Sequence, residues 1–203
     1  MQSIENKTSA RIYGNQRGWA FSKTDFLDLG NDADIRKALS GLAARGTIRR
    51  VLRGVYDYPR ISKLLDSEMG PDLDQVAQAL ARKSGWRIQP SENTALNQLG
   101  LSTQVPAQSV YLSDGPSKTY ELGNRQLIFK KRRLKESGFK LRQSELVVQA
   151  LKALGQERID AGVCQKLSEK WTPDLWQKIL RDSKTAPAWV CDVIRKIAKE
   201  KAS

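Results

Sequence analysis

Histidine is absent from the 203 residues. Its absence removes the Ser-His-Asp triad, the Cys-His pair and the histidine general base. Cysteine occurs twice, as Cys164 and Cys191, and neither belongs to a CxxC pair. A zinc site of Cys/His type needs four ligands and only two candidates exist. The expectation is therefore no metal, and two small apolar side chains in a reducing compartment. No apolar run approaches the roughly 18 residues of a membrane span. The first residues, MQSIENKTSA, carry no apolar segment of the kind a secretory signal needs. The chain thus reads as cytoplasmic and without a membrane partner. The phosphate-binding patterns GxxxxGK(S/T) and GxGxxG are missing too. No catalytic constellation stands out, so the chain reads as a non-enzyme that needs no cofactor. Acid is also scarce: 22 Asp and Glu face 35 Lys and Arg, for a formal net charge of +13 and a pI near 9.9. A surplus of that size favours a polyanionic partner, nucleic acid before an anionic membrane surface.

The positive charge is unevenly spread. Residues 1–60 carry 11 Lys and Arg against 6 Asp and Glu, whereas residues 61–120 carry 5 against 6. Residues 121–150 return to 8 against 3, and residues 151–203 to 11 against 7. This shift, with Pro59 and then Gly70-Pro71, suggests a boundary near residues 60–70. Two domains are expected, 1–60 and 61–203.

Within the first, residues 3–13 suit a helix and Gly18–Phe21 a short strand. Ser22 suits the cap of a short helix over residues 23–29. Residues 32–45 form the clearest element. Asn31, Asp32 or Asp34 can cap it, and acids suit its positive end. Ile35, Ala38, Leu39 and Leu42 fall on one face at i, i+3, i+4 and i+7. The other face holds Ala33, Lys37, Ser40, Gly41 and Ala44, with Arg36 on its flank. Small side chains let a helix approach base edges closely, and Lys37 and Ser40 can donate hydrogen bonds there. Gly46 is placed to end the helix. Residues 47–51 and 54–58 then read as a hairpin, with Arg49, Arg50 and Arg53 at or near its turn. Helix, helix, recognition helix and hairpin in that order make a winged helix-turn-helix. Taken alone, the same periodicity fits an ordinary amphipathic surface helix.

The run RKALSGLAARGTIRRVLRGVYDYPR resembles the winged-helix segment of AbiEi-type antitoxins, in which a helix of the form "aLsrLvkrG" leads into "irrlarGvYy". The matching residues are Ala38, Leu39, Leu42, Arg45, Gly46, Ile48, Arg49, Arg50, Arg53, Gly54, Val55 and Tyr56. Residues 95–106, ALNQLGLSTQVP, resemble the start of that family's second domain. The resemblance implies an antitoxin of a bacterial toxin–antitoxin pair. Such a protein binds operator DNA, represses its own operon and counteracts a nucleotidyltransferase-like toxin through its C-terminal domain. The expected DNA-binding residues are Arg36, Lys37, Ser40, Arg45, Arg49, Arg50 and Arg53.

The remainder reads as α+β. A helix over 72–84, a strand over 86–89 and a helix after Ser91 lead into strands at 109–113, 118–122 and 125–130. Gly123-Asn124 is a strong hairpin signal, and a small, largely antiparallel sheet is expected. Lys130, Lys131, Arg132 and Arg133 form the densest charge run, either a solvated strand end or a contact for phosphates or an acidic partner. Residues from about 144 to 199 look helical, with tryptophans at helical spacing that suit a core. Two other functions fit less of this pattern. One is a stand-alone winged-helix regulator whose C-terminal domain senses a ligand or dimerises. The other is a nucleic-acid-processing enzyme resting on carboxylates such as Asp72, Asp74 or Glu92.

Overall fold

The structure, a computed structural model, describes residues 3–102, 107–132 and 139–200. It is a mixed α+β chain with eight α-helices among the described residues. Two compact units divide it, Met1–Arg87 and Ile88–Ser203.

In the first unit, α1 (Ile4–Gly14) starts at Ser3, whose hydroxyl accepts from the Asn6 N–H. Strand β1 (Ala20–Phe21) follows. Ser22 and Asp25 then form a reciprocal cap on a 3-10 helix, Lys23–Phe26, shorter than the helix expected over 23–29. Helix α2 (Asp32–Ala44) is capped by Asn31 and buries Ile35, Ala38, Leu39 and Leu42. It closes on Gly46, at φ +71°, where Gly46 N–H donates to Ala43 and Thr47 N–H to Leu42. Paired bonds of this kind satisfy the orphan carbonyls of a helix end, and glycine takes the left-handed position without strain.

Strands β2 (Arg49–Leu52) and β3 (Val55–Asp57) come next, then β4 (Ile61–Ser62), β5 (Ser67–Glu68) and α3 (Leu73–Ser84). One antiparallel sheet has the order β1-β3-β2, and β4 and β5 pair separately. The core joins Ile12, Phe21, Phe26, Ile35, Leu39, Leu42, Ile48 and Tyr56. Phe21 and Phe26 meet edge to face with centroids 5.5 Å apart. Each such side chain contributes roughly 1.5–3 kcal/mol by leaving water.

The boundary expected at 60–70 is displaced to 87/88 because α3 packs on β1, β3 and the 3-10 turn. Arg82 fixes it there, bonding Asp25 at 2.6 Å and the Ala20 carbonyl at 2.9 Å.

The second unit runs β6 (Ile88–Pro90), α4 (Glu92–Gln98), β7 (Gln108–Ser113), β8 (Lys118–Leu122) and β9 (Arg125–Lys131). Its sheet has the order β6-β7-β9-β8. The β6–β7 and β8–β9 pairs are antiparallel, but β7 and β9 are parallel from Gln108↔Gln126 to Ser113↔Lys131. The sheet is thus largely antiparallel, as expected, with one parallel pairing, β7–β9, at its centre. The chain leaves β7, crosses to the outer position as β8 and returns between the two as β9.

Four helices complete the unit: α5 (Arg142–Leu154), α6 (Ala161–Ser168), α7 (Pro173–Asp182) and α8 (Ala188–Glu200). Trp176 is wholly buried among them, and its indole N–H donates to the Ser168 carbonyl at 3.3 Å. Trp171 and Trp189 are half-buried against the same core. Cys164 is buried, while the Cys191 thiol lies 3.2 Å from the Ser183 carbonyl. Leu141 offers α5 no side-chain cap. Asp182, from the end of α7, supplies one instead, accepting from the Lys140 and Leu141 N–H groups at 2.9 and 2.8 Å.

Candidate nucleic-acid interface

Burial of one face of α2 leaves the opposite face in solvent. Ala33, Lys37, Ser40 and Ala44 are all exposed. Neither Lys37 nor Ser40 has a side-chain hydrogen bond or ion pair among the described residues. Arg36, on the flank, reaches back to Asp32 one turn earlier. Asp32 also meets Lys23 Nζ at 2.6 Å. The Lys23 hydrogen bond holds the Asp32 carboxyl below its ordinary range; burial opposes it and the pull of Arg36 adds to it. At the far end of α2, Arg45 pairs with Glu5 of α1. Thus both flanking arginines of the helix are held by acids, and its centre is not.

The hairpin that follows sorts its three arginines differently. Arg49 turns into the unit. Its Nε and Nη2 donate to the two carboxylate oxygens of Asp57 at 3.1 and 2.6 Å, and its Nη1 donates to the Met69 carbonyl at 3.0 Å. The Asp57 side chain is only 3% exposed. Burial pushes its carboxyl above the usual range, and the bidentate arginine draws it part of the way back. Arg50 and Arg53 are exposed and make no side-chain bond among the described residues. The turn between them is pinned from behind: Lys83 Nζ, on α3, donates to the Arg53 carbonyl at 2.8 Å and lies 3.1 Å from where a Cβ on Gly54 would sit. Gly54 holds φ +72°, so a side chain there would meet strain as well as the lysine.

The expected binding residues therefore fall into two groups. Lys37, Ser40, Arg50 and Arg53 have uncommitted polar groups in solvent. Arg36, Arg45 and Arg49 have guanidiniums engaged by Asp32, Glu5 and Asp57. Lys23, Asp57 and Lys83 were not legible as parts of this surface. Asp57 lies in an ordinary strand run, and Lys83 follows the turn it pins by 30 residues; no local motif announces either.

The second cationic run lies in the other unit. Lys130 and Lys131 end β9, and Arg132 follows; all three are exposed. The backbone holds this end in place, since Lys131 N–H donates to Ser117 and Arg132 N–H to the Ser113 carbonyl. Arg133 lies outside the described residues. The three acids weighed for catalysis sit at helix starts. Asp72 caps α3, accepting from the Asp74 and Gln75 N–H groups. Glu92 occupies the first turn of α4, in the second unit. Among the described residues no three His, Cys, Asp or Glu side chains converge as a metal site would need, and no helix is long and apolar enough to cross a membrane.

Comparison with known proteins adds two findings. Residues 7–175 match the model of a protein family described as one of unknown function. No curated protein matches the chain.

Proposed function

Since the chain belongs to the family of unknown function DUF6088, its role has to come from its own surface, and we propose that it is a DNA-binding regulator whose first unit is a winged helix-turn-helix. In this reading α1, the 3-10 turn and α2 are the three helices, β1 closes on β3, and the β2–β3 hairpin is the wing. Helix α2 enters the major groove, where Lys37 and Ser40 meet base edges. Arg50 and Arg53 lie along the phosphates or reach into the minor groove.

The observation that carries the reading is the division of the cations. The flanking arginines are tied to acids, while the centre of α2 and the tip of the hairpin present uncommitted donors. Donors without an internal partner can be spent on phosphates and bases at little cost to the fold.

The fuller role is that of an antitoxin that represses its own operon, with the second unit counteracting a nucleotidyltransferase-like toxin. The support for this part is the likeness of residues 38–56 to AbiEi-type antitoxins.

A gel-shift series on operator-containing DNA tests the first part. Lys37→Ala should cost roughly 1–3 kcal/mol and relax specificity at one position. Arg50→Ala should weaken all sequences alike and flatten the slope of log affinity against log salt by about 0.9. Unchanged binding in both variants overturns the assignment. Co-expression with the neighbouring gene tests the second part: relief of growth arrest marks an antitoxin, and DNA binding without relief marks a stand-alone regulator.

A further inference from the structure

Arg36 and Arg49 are both held by acids, but to different degrees. Arg49 commits Nε, Nη1 and Nη2 inside the unit. Arg36 commits one nitrogen: its Nη2 meets Asp32 Oδ2, while Nε and Nη1 have no bond among the described residues. Its side chain remains 65% exposed. Asp32 is fixed from the other side. Its Oδ1 is shut off from solvent and lies 2.6 Å from Lys23 Nζ, which belongs to the 3-10 turn before α2. Lys23, Asp32 and Arg36 thus form one ionic chain from that turn into the N-terminal half of α2. Both cations favour the ionised form of the carboxylate between them.

The place of Arg36 on the helix matters as much as its partner. At about 100° per residue it lies about 40° around α2 from Ser40 and about 60° from Ala33, beside the exposed face. Helices that enter the major groove contact base edges mainly through their N-terminal residues. The five N–H groups of a guanidinium include two parallel pairs, and Nη2 supplies one hydrogen to each. A single bond at Nη2 therefore leaves the other pair whole. Such a pair matches guanine O6 and N7, the commonest specific contact that arginine makes in the major groove. Asp32 is no competing reader, since Lys23 and Arg36 already occupy both of its oxygens.

We propose that Arg36 reads a guanine in the major groove and that Asp32 is a positioning residue, holding the guanidinium in the pose this contact needs. The inference rests on the regulator reading and names a base that its recognition helix selects. A long side chain loses rotamer freedom when it binds, and the ionic chain removes part of that freedom in advance.

Selection by the full chain from a random-sequence duplex pool reads the preference directly. Wild type should enrich a motif with a guanine at one position. Arg36→Ala should lower the preference for that guanine by roughly 5- to 150-fold. Arg36→Lys, which keeps the charge without the fork, should lose the preference with little change in salt dependence. Asp32→Asn should lower it by roughly two- to tenfold, at unchanged circular dichroism, since Asn31 still caps the helix. In the Arg36→Ala background, Asp32→Asn should change base preference no further. An acid with a purely structural role would weaken all sequences alike and leave the choice of base untouched.

Three results overturn the inference and leave the regulator reading standing: a guanine preference that survives Arg36→Ala, a motif with no guanine-dependent position, or an unchanged preference in Asp32→Asn. An Asp32→Asn effect on base preference that persists without Arg36 does the same. A wild type that enriches no duplex sequence overturns both.

Discussion

Arg49 and Arg50 are neighbours in one strand, and the structure gives them opposite consequences. Replacing Arg49 with alanine removes both hydrogen bonds to the Asp57 carboxylate and the bond to the Met69 carbonyl. Asp57 cannot turn to water, since its side chain is 3% exposed. Breaking a buried pair by deleting one partner costs about 3–5 kcal/mol. The lower end is the better figure here, because Arg49 itself is partly solvated and because the stranded carboxyl can take up a proton. Burial already holds Asp57 above the ordinary carboxylate range. An aspartate with a raised folded-state pKa destabilises as pH rises, so the Arg49→Ala penalty should be largest near pH 7 and shrink toward pH 5.

For a unit of this size each kcal/mol moves the melting temperature by roughly 4–8 °C. A loss of about 3 kcal/mol is then a fall of roughly 12–24 °C. Arg50→Ala, which removes a solvated side chain, should stay within about 0.5 kcal/mol of wild type. Urea denaturation followed by the fluorescence of Trp19 and Trp86, with the tryptophans of the second unit replaced conservatively, measures both. A loss below about 1 kcal/mol in Arg49→Ala, or a penalty that grows toward low pH, would refute the reasoning and return Arg49 to the proposed DNA-contacting set.

Two further outcomes concern the second unit. Burial works to raise the Asp182 carboxyl, but the Lys140 and Leu141 N–H groups outweigh it and hold the group below its ordinary range. A depressed carboxylate contributes stability above its unfolded pKa of about 3.9 and loses it as pH falls through the folded value; Asp182→Asn should therefore flatten the acid limb of the stability–pH curve, and a limb of unchanged slope counts against the cap. Trp176→Ala should cost about 3–5 kcal/mol by emptying a fully buried site, read by calorimetry as the loss or early melting of one transition.

Local chemistry made much of the fold readable. The Asn31 cap, the i, i+3, i+4, i+7 apolar positions and Gly46 bracket α2 to within a residue of its ends. Gly123-Asn124 marks the β8–β9 hairpin because a tight turn needs residues that tolerate positive φ. These signals act over a few residues, where one side chain meets its own backbone or the next turn. The same range limits what they say of function: the exposed face of α2 follows from its period, but which cations on it remain available does not.

Long-range choices had no such signature. A strand's alternation specifies a buried face but not a neighbour, so the parallel β7–β9 pairing emerged only when the sheet was assembled. Arg49 and Arg50 are identical in sequence terms; the pleat sends one toward Asp57 and the other to solvent. Residues 73–84 are a plain amphipathic helix until packing on β1 and the Arg82–Asp25 bond draw them into the first unit. Asp182 becomes the cap of a helix that begins 40 residues before it. Elements were thus written in near-neighbour contacts, while pairing, boundary and the fate of each charge were decided by groups that only folding brings within hydrogen-bond reach.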